Sequence, residues 1–184
     1  MKEMHYFISL EQELENSFNY IEPENDNLKC YGAKYVSLLN SVCIEFESLS
    51  KILIKHHRPK TVVGTIGEIK QNLLELFPNF SENEVEITRL NESRAPFKEW
   101  SEDSKLDWWS AYTDIKHNRI KNYSNASLSN VLDGMAALIV IIVYLGWLRD
   151  SNYNLKSSGL FWHKSMGGTL LFKGEDLPDI NVKA

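Results

Sequence analysis

The chain has 184 residues, of which 43% are hydrophobic and 11% aromatic, enough apolar material to bury a core and far from a disordered composition. That length sets a single domain spanning 1–184 as the expectation. A net charge of −5 excludes a protein that coats nucleic acid generally, because such a protein carries a basic balance over its whole surface.

In chain order, Ser9 and Gln12 have capping-box spacing, and Leu10, Leu14, Phe18 and Ile21 follow at helical intervals. A first helix is therefore expected from Ser9, with Pro23 ending it. Tyr35, Leu38, Leu39, Val42, Phe46, Leu49 and Leu53 trace one stripe of a long second helix over 28–57. Its end is marked by Lys55, His56, His57 and Arg58, which complement the helix dipole, and by Pro59, which stops the hydrogen-bond ladder. A third helix over 65–77 follows from Ile66, Ile69, Leu73 and Phe77, and Pro78 closes it.

The segment 84–90 alternates as a short strand does, and 94–100 reads as an extended loop anchored by Phe97 and Trp100. Ser104 is placed to cap a fourth helix over 105–120. A fifth, over 125–148, has Leu128, Leu132, Met135, Leu138, Ile142 and Leu145 on one face and turns apolar all round from Ala136. Its uncharged run from Met135 to Leu148 is shorter than the roughly 20 residues that span a bilayer. It reads as a central core helix, and no membrane partner is expected. Two short strands, GLFWHK and TLLFK around SMGG, then form a β-hairpin. The expected fold is mainly α: an up-and-down bundle of four to five helices over 9–150, a small hairpin over 158–173 and a tail over 174–184.

Cys30 and Cys43 form neither a CxxC nor any zinc-ligand spacing, and Cys43 falls on the apolar face of the second helix as a buried thiol. No metal motif or phosphate-binding glycine loop is present in the sequence, so no cofactor is expected. The opening MKEMHYFISLEQELE turns acidic before an apolar core can form, unlike a signal peptide, and cytoplasmic residence is the expectation.

Charge placement is more informative than its sum. Residues 1–27 hold seven acids and one lysine, whereas 51–60 (KILIKHHRPK) and 116–121 (KHNRIK) are basic. On the fourth helix, Tyr112, Lys116, Arg119 and Tyr123 share one face, and Asp114, His117 and Lys121 share its neighbour. Asp114, one turn before His117, is positioned to orient the imidazole and raise its proton affinity, as a general acid or base near neutral pH requires. Lys116 and Arg119 supply positive charge for a phosphate in its transition state. Tyr112, Lys121 and Tyr123 are candidate RNA or anion contacts, with His56, His57 and Arg58 as a second anion-binding patch. Each of these residues also has a plain structural reading: a solvated helix face, or a complement to the helix dipole. Trp108 and Trp109 read as core.

The pattern WWxxYxxxKHxR (108–119), the Ala-x-Leu-x-Asn-x-Leu helix (126–132) and the CIEFESLSK of the second helix (43–51) resemble bacterial proteins of the HEPN-like kind over about residues 10–150. The resemblance implies an all-α bundle that dimerises and, in many members, cleaves RNA without a metal in toxin–antitoxin or phage-defence systems. The family's nuclease signature, Arg-x(4–6)-His, is absent here. His117 and Arg119 stand two apart in the opposite order, and positions i and i+2 of a helix do not face each other. Two readings follow. In one, a homodimer brings His117 of one subunit beside Lys116 or Arg119 of the other to bind and cleave RNA or nucleotide. In the other, the protein is a non-catalytic interaction module for an antitoxin or defence-system protein, with KHNR holding its helix to backbone carbonyls of 94–100.

Overall fold

The computed structural model describes residues 2–149 and 158–163. The chain is mainly helical with a small antiparallel sheet. In order the elements are α1 (Lys2–Ser17), α2 (Ala33–His57), α3 (Ile66–Leu76), β1 (Val85–Ile87), β2 (Glu92–Arg94), α4 (Lys98–Ser101), α5 (Asp107–Asn118), α6 (Leu128–Arg149) and β3 (Phe161–His163).

α6 sits at the centre because its sequence leaves no face for water. Every residue from Gly134 to Val143 is buried. The helix is long and apolar enough to cross a bilayer, yet 78% of its most apolar 18-residue window is covered by the rest of the fold. A helix that is hydrophobic all round needs such a cover. α2 lies along it over the greatest length, and α1, α5 and β3 close other sides. α2 and α6 approach closely at Gly134, where a Cβ would lie 3.1 Å from Val42 Cγ1, 3.6 Å from Leu39 Cδ1 and 3.7 Å from Trp108 Cε3.

Several boundaries differ from those read in the sequence, and each difference has a tertiary cause. α1 begins at Lys2, because buried Met4 and Phe7 extend the stripe of Leu10 and Leu14 backwards. Ser9 is an exposed mid-helix residue and caps nothing. The helix stops at Ser17, whose hydroxyl donates back to the Leu14 carbonyl at 2.6 Å, before Pro23 is reached. α2 starts at Ala33 because 28–31 is held elsewhere: Leu128 N donates to Cys30 O at 2.8 Å and Ser129 N to Leu28 O at 2.9 Å. α3 opens with a capping box, Glu68 N to Thr65 Oγ1 at 3.3 Å and Thr65 N to Glu68 Oε2 at 2.8 Å.

The expected strand at 84–90 is present as β1, paired antiparallel with β2 through a turn in which Asn91 takes a left-handed conformation (φ 52°), which Asn tolerates. The expected extended loop at 94–100 is instead the end of β2 followed by the single turn of α4. Phe97 and Trp100 are its buried anchors, packed with Phe46, Phe80 and Trp108. Ser104 does not cap α5. That helix begins at Asp107 after buried Leu106, and Ser104 gives its N–H to Glu99 O at 2.8 Å.

The first strand of the expected C-terminal hairpin is β3, and it joins the sheet through β1, giving the order β2-β1-β3. The second strand and the tail lie outside the described residues. Glu11 of α1 secures the approach to β3. Its buried carboxylate accepts from Ser158 Oγ at 2.7 Å, Leu160 N at 2.8 Å, and Gly159 N and Phe161 N at 3.3 Å. A carboxylate out of water needs such donors.

Two outcomes test this packing. Gly134→Leu drives a side chain into Val42, whose β-branched χ1 is fixed within α2, and should cost roughly 3 kcal/mol or more in chemical denaturation. Ser50 is fully buried in α2 and its hydroxyl has no hydrogen-bond partner among the described residues. Ser50→Ala should therefore raise stability by about 1 kcal/mol in the same measurement.

Candidate functional site

α5 has an aromatic inner side and a cationic outer end. Trp108 is buried, donates Nε1 to Pro96 O at 2.9 Å, and meets Phe46 edge-on at 5.1 Å. Trp109 bridges Phe46 and Tyr112. The link from α5 to the 94–100 segment is thus made by the tryptophan and not by KHNR. Tyr112, read in the sequence as a candidate RNA or anion contact, is buried as well, and Lys116 Nζ stands over its ring, 5.7 Å from the centroid.

Asparagines shape the exit from α5. Asn118 Oδ1 accepts from Lys121 N at 3.1 Å, Asn122 Nδ2 donates to Asp114 O at 2.8 Å, and Asn130 Nδ2 donates to Asn125 O at 2.9 Å. The expected Asp114–His117 pair is not formed. The Asp114 carboxylate accepts instead from Asn125 Nδ2 at 3.2 Å, because the chain folds back over that face of the helix. With the backbone held by neutral amides, Lys116, His117, Arg119 and Lys121 all project into solvent. None of them has a carboxylate partner among the described residues.

Beside them an open groove of about 590 Å³ is lined by Ala33, Val36 and Ser37 on the first turn of α2, and by Arg119, Ile120 and Tyr123 on the α5–α6 connection. The walls meet because Tyr31 and Ser127 form a β-bridge. Tyr31, 55% exposed, also stands edge-on to Tyr123 with ring centroids 6.0 Å apart. Gly32 precedes α2 and no side chain caps the helix there.

The second basic patch does not join this one. His56, His57 and Arg58 lie at the far end of α2, about 30 Å away at 1.5 Å per residue. Arg58 is occupied by Asn72 Oδ1 at 2.9 Å and Glu75 Oε2 at 2.6 Å. His57 packs on Phe77, and burial, followed by the neighbouring His56 and Arg58, lowers its pKa and favours the neutral imidazole. Its anion-binding role is therefore not supported by its surroundings. Among the described residues, no three or more His, Cys, Asp or Glu side chains converge as a metal's ligand set.

A polar cluster that the sequence reading missed joins β2 to α6. Arg94 Nη1 donates to Ser129 Oγ at 3.0 Å and Asp133 Oδ1 at 3.3 Å, and Nη2 lies 3.5 Å from Glu92 Oε2. Burial pushes the Asp133 carboxyl up to about 6; Arg94 opposes the shift, and Glu99 and Asp107 add to it. The available signal was a lone acid at the head of an apolar helix, which needs a partner from elsewhere.

No family model, curated protein or solved structure matches the chain.

The raised Asp133 carboxyl fixes the sign of a pH effect. Between the ordinary value of 3.8 and about 6 the folded state holds a proton that the unfolded state has lost, so this group's contribution to stability falls as pH rises through that window. Asp133→Asn keeps a neutral acceptor for Arg94. Its Tm relative to the unaltered protein should climb as pH rises from about 4 to about 7 and level off above, a difference read by circular dichroism melts at each pH.

Proposed function

We propose that the chain is a cytoplasmic, HEPN-like up-and-down bundle that binds RNA or nucleotide at the α5–α6 corner and acts as a homodimer. The observation that carries this reading is the solvent-facing cluster of Lys116, Arg119 and Lys121 around His117, none of which has a carboxylate partner among the described residues, in a protein of net charge −5. The other four arginines of the chain, Arg58, Arg89, Arg94 and Arg149, are each paired with a carboxylate. A local excess of positive charge on an acidic protein draws a polyanion to one place.

Cleavage is the stronger form of the proposal. His117 accepts the proton of a ribose 2′-hydroxyl, the 2′-oxygen attacks the adjacent phosphorus to form a 2′,3′-cyclic phosphate, and the P–O5′ bond breaks to release the 5′-oxygen, which takes a proton from water. Arg119 and Lys116 of the second subunit stabilise the charge gathering on the phosphoryl oxygens. The second subunit is required because His117 and Arg119 point to different sides of their own helix end. A specific observation favours the rival reading of a non-catalytic interaction module: Asp114, engaged by Asn125, does not orient His117.

Purified protein and total RNA separate the two. On the catalytic reading, His117→Ala reduces cleavage about 100-fold or more, the scale of a lost general base, while RNA binding is kept. Retained RNA binding with no cleavage by the unaltered protein removes the catalytic form, and loss of both removes the proposal. In a toxin–antitoxin or phage-defence setting, induced expression of the unaltered protein slows growth and expression of His117→Ala does not.

A further inference from the structure

We infer that the groove between the first turn of α2 and the α5–α6 connection is a nucleobase seat, so that the bound anion is an unpaired nucleotide or single strand and not a duplex held by its phosphates alone. The inference rests on the RNA- or nucleotide-binding reading above and adds to it the part of the ligand that is not charged.

Arg119 is the starting point. The other arginines are engaged by carboxylates: Arg58 by Glu75, Arg89 by Glu22, Arg94 by Asp133 and Arg149 by Glu3. Arg119 instead stands at the rim of a groove whose walls are apolar, with Ala33 and Val36 on one side and Ile120 and Tyr123 on the other. Ile120 is 91% exposed, an aliphatic side chain with nothing over it. An isolated exposed isoleucine needs no explanation; one that lines a groove beside a guanidinium with no carboxylate partner among the described residues, and beside a tyrosine ring, gives that groove both an apolar and an anionic requirement.

The occupant follows from combining those requirements. A planar base has a ring face to set against Tyr123, which Tyr31 braces edge-on, and the phosphate on its ribose has Arg119 of the same groove as a partner. Lys116 and Lys121, both exposed and within three residues of Arg119 in the chain, add positive charge for neighbouring phosphates. A single carboxylate on a peptide would use Arg119 and leave both lysines unused. A duplex presents no free ring face to the groove.

The test compares two fluorescein-labelled probes at one salt concentration: a 12-nucleotide single-stranded RNA and a ribose-phosphate strand of equal length lacking bases. The RNA should bind at least ten-fold more tightly than the base-free strand, the scale of one stacked base. Tyr123→Ala should erase that preference and leave the base-free strand unchanged, whereas Arg119→Ala should weaken both. Ser37→Leu, which fills the groove from an exposed helical position, should reproduce the Tyr123→Ala result without touching the Tyr31 contact. Equal affinity of the unaltered protein for the two probes overturns the base seat while leaving the anion-binding reading intact; binding of neither probe overturns both. A preference that survives both Tyr123→Ala and Ser37→Leu, or an Ile120→Glu protein that changes from dimer to monomer with its probe preference intact, also overturns the base seat, the latter by assigning the groove to a second copy.

Discussion

α6 has no polar side after its first turns, and the arrangement of the other elements answers that one condition. A helix of this kind is stable in water only if every face is covered, and burial at about 25 cal/mol per Å² makes the cover the dominant favourable contribution. α2, the longest helix, supplies the greatest part of it. The two approach closely at Gly134 because glycine leaves Val42 its space. Trp108, whose ring also touches that point, transmits the packing to α5, so the helix bearing the cationic end is located by the same contact that centres the core.

The polar groups are arranged at the margins of this core. Asp133 heads the apolar helix and is answered by Arg94 from the sheet. At the end of α5, backbone groups are satisfied by asparagine amides, which are neutral and short. That choice has an electrostatic result: turn formation uses up none of the positive charge, and the cations stay available at the surface. The exposed cationic cluster is thus a by-product of how the chain leaves one helix for the next.

Much of the fold was legible in local pattern. The stripe from Tyr35 to Leu53, the stop at Pro59 and the all-round apolarity of α6 are properties of neighbouring residues, and periodicity reports them directly. The start of α1 was not, since Ser9 offers a cap that Met4 and Phe7 override by packing. The cluster 116–121 was legible as charge, but its geometry was not. Asp114 and His117 share spacing on a helix, and only the return of Asn125 over that face decides which partner the carboxylate takes. The groove was invisible because its walls, 33–37 and 119–123, are far apart in sequence and are joined by the bridge of Tyr31 to Ser127.

Glu11 couples the first helix to residues 158–161, a separation of 147 to 150 positions. During synthesis α1 leaves the ribosome long before those donors exist, so its carboxylate stays hydrated and α1 waits undocked on that side. Closure of this side of the fold is thereby deferred until residues 158–161 have emerged, a non-local step of the kind that slows folding. A nascent chain stalled before residue 158 would hold α6 with part of its cover missing, which makes that length the point at which a chaperone has most to shield.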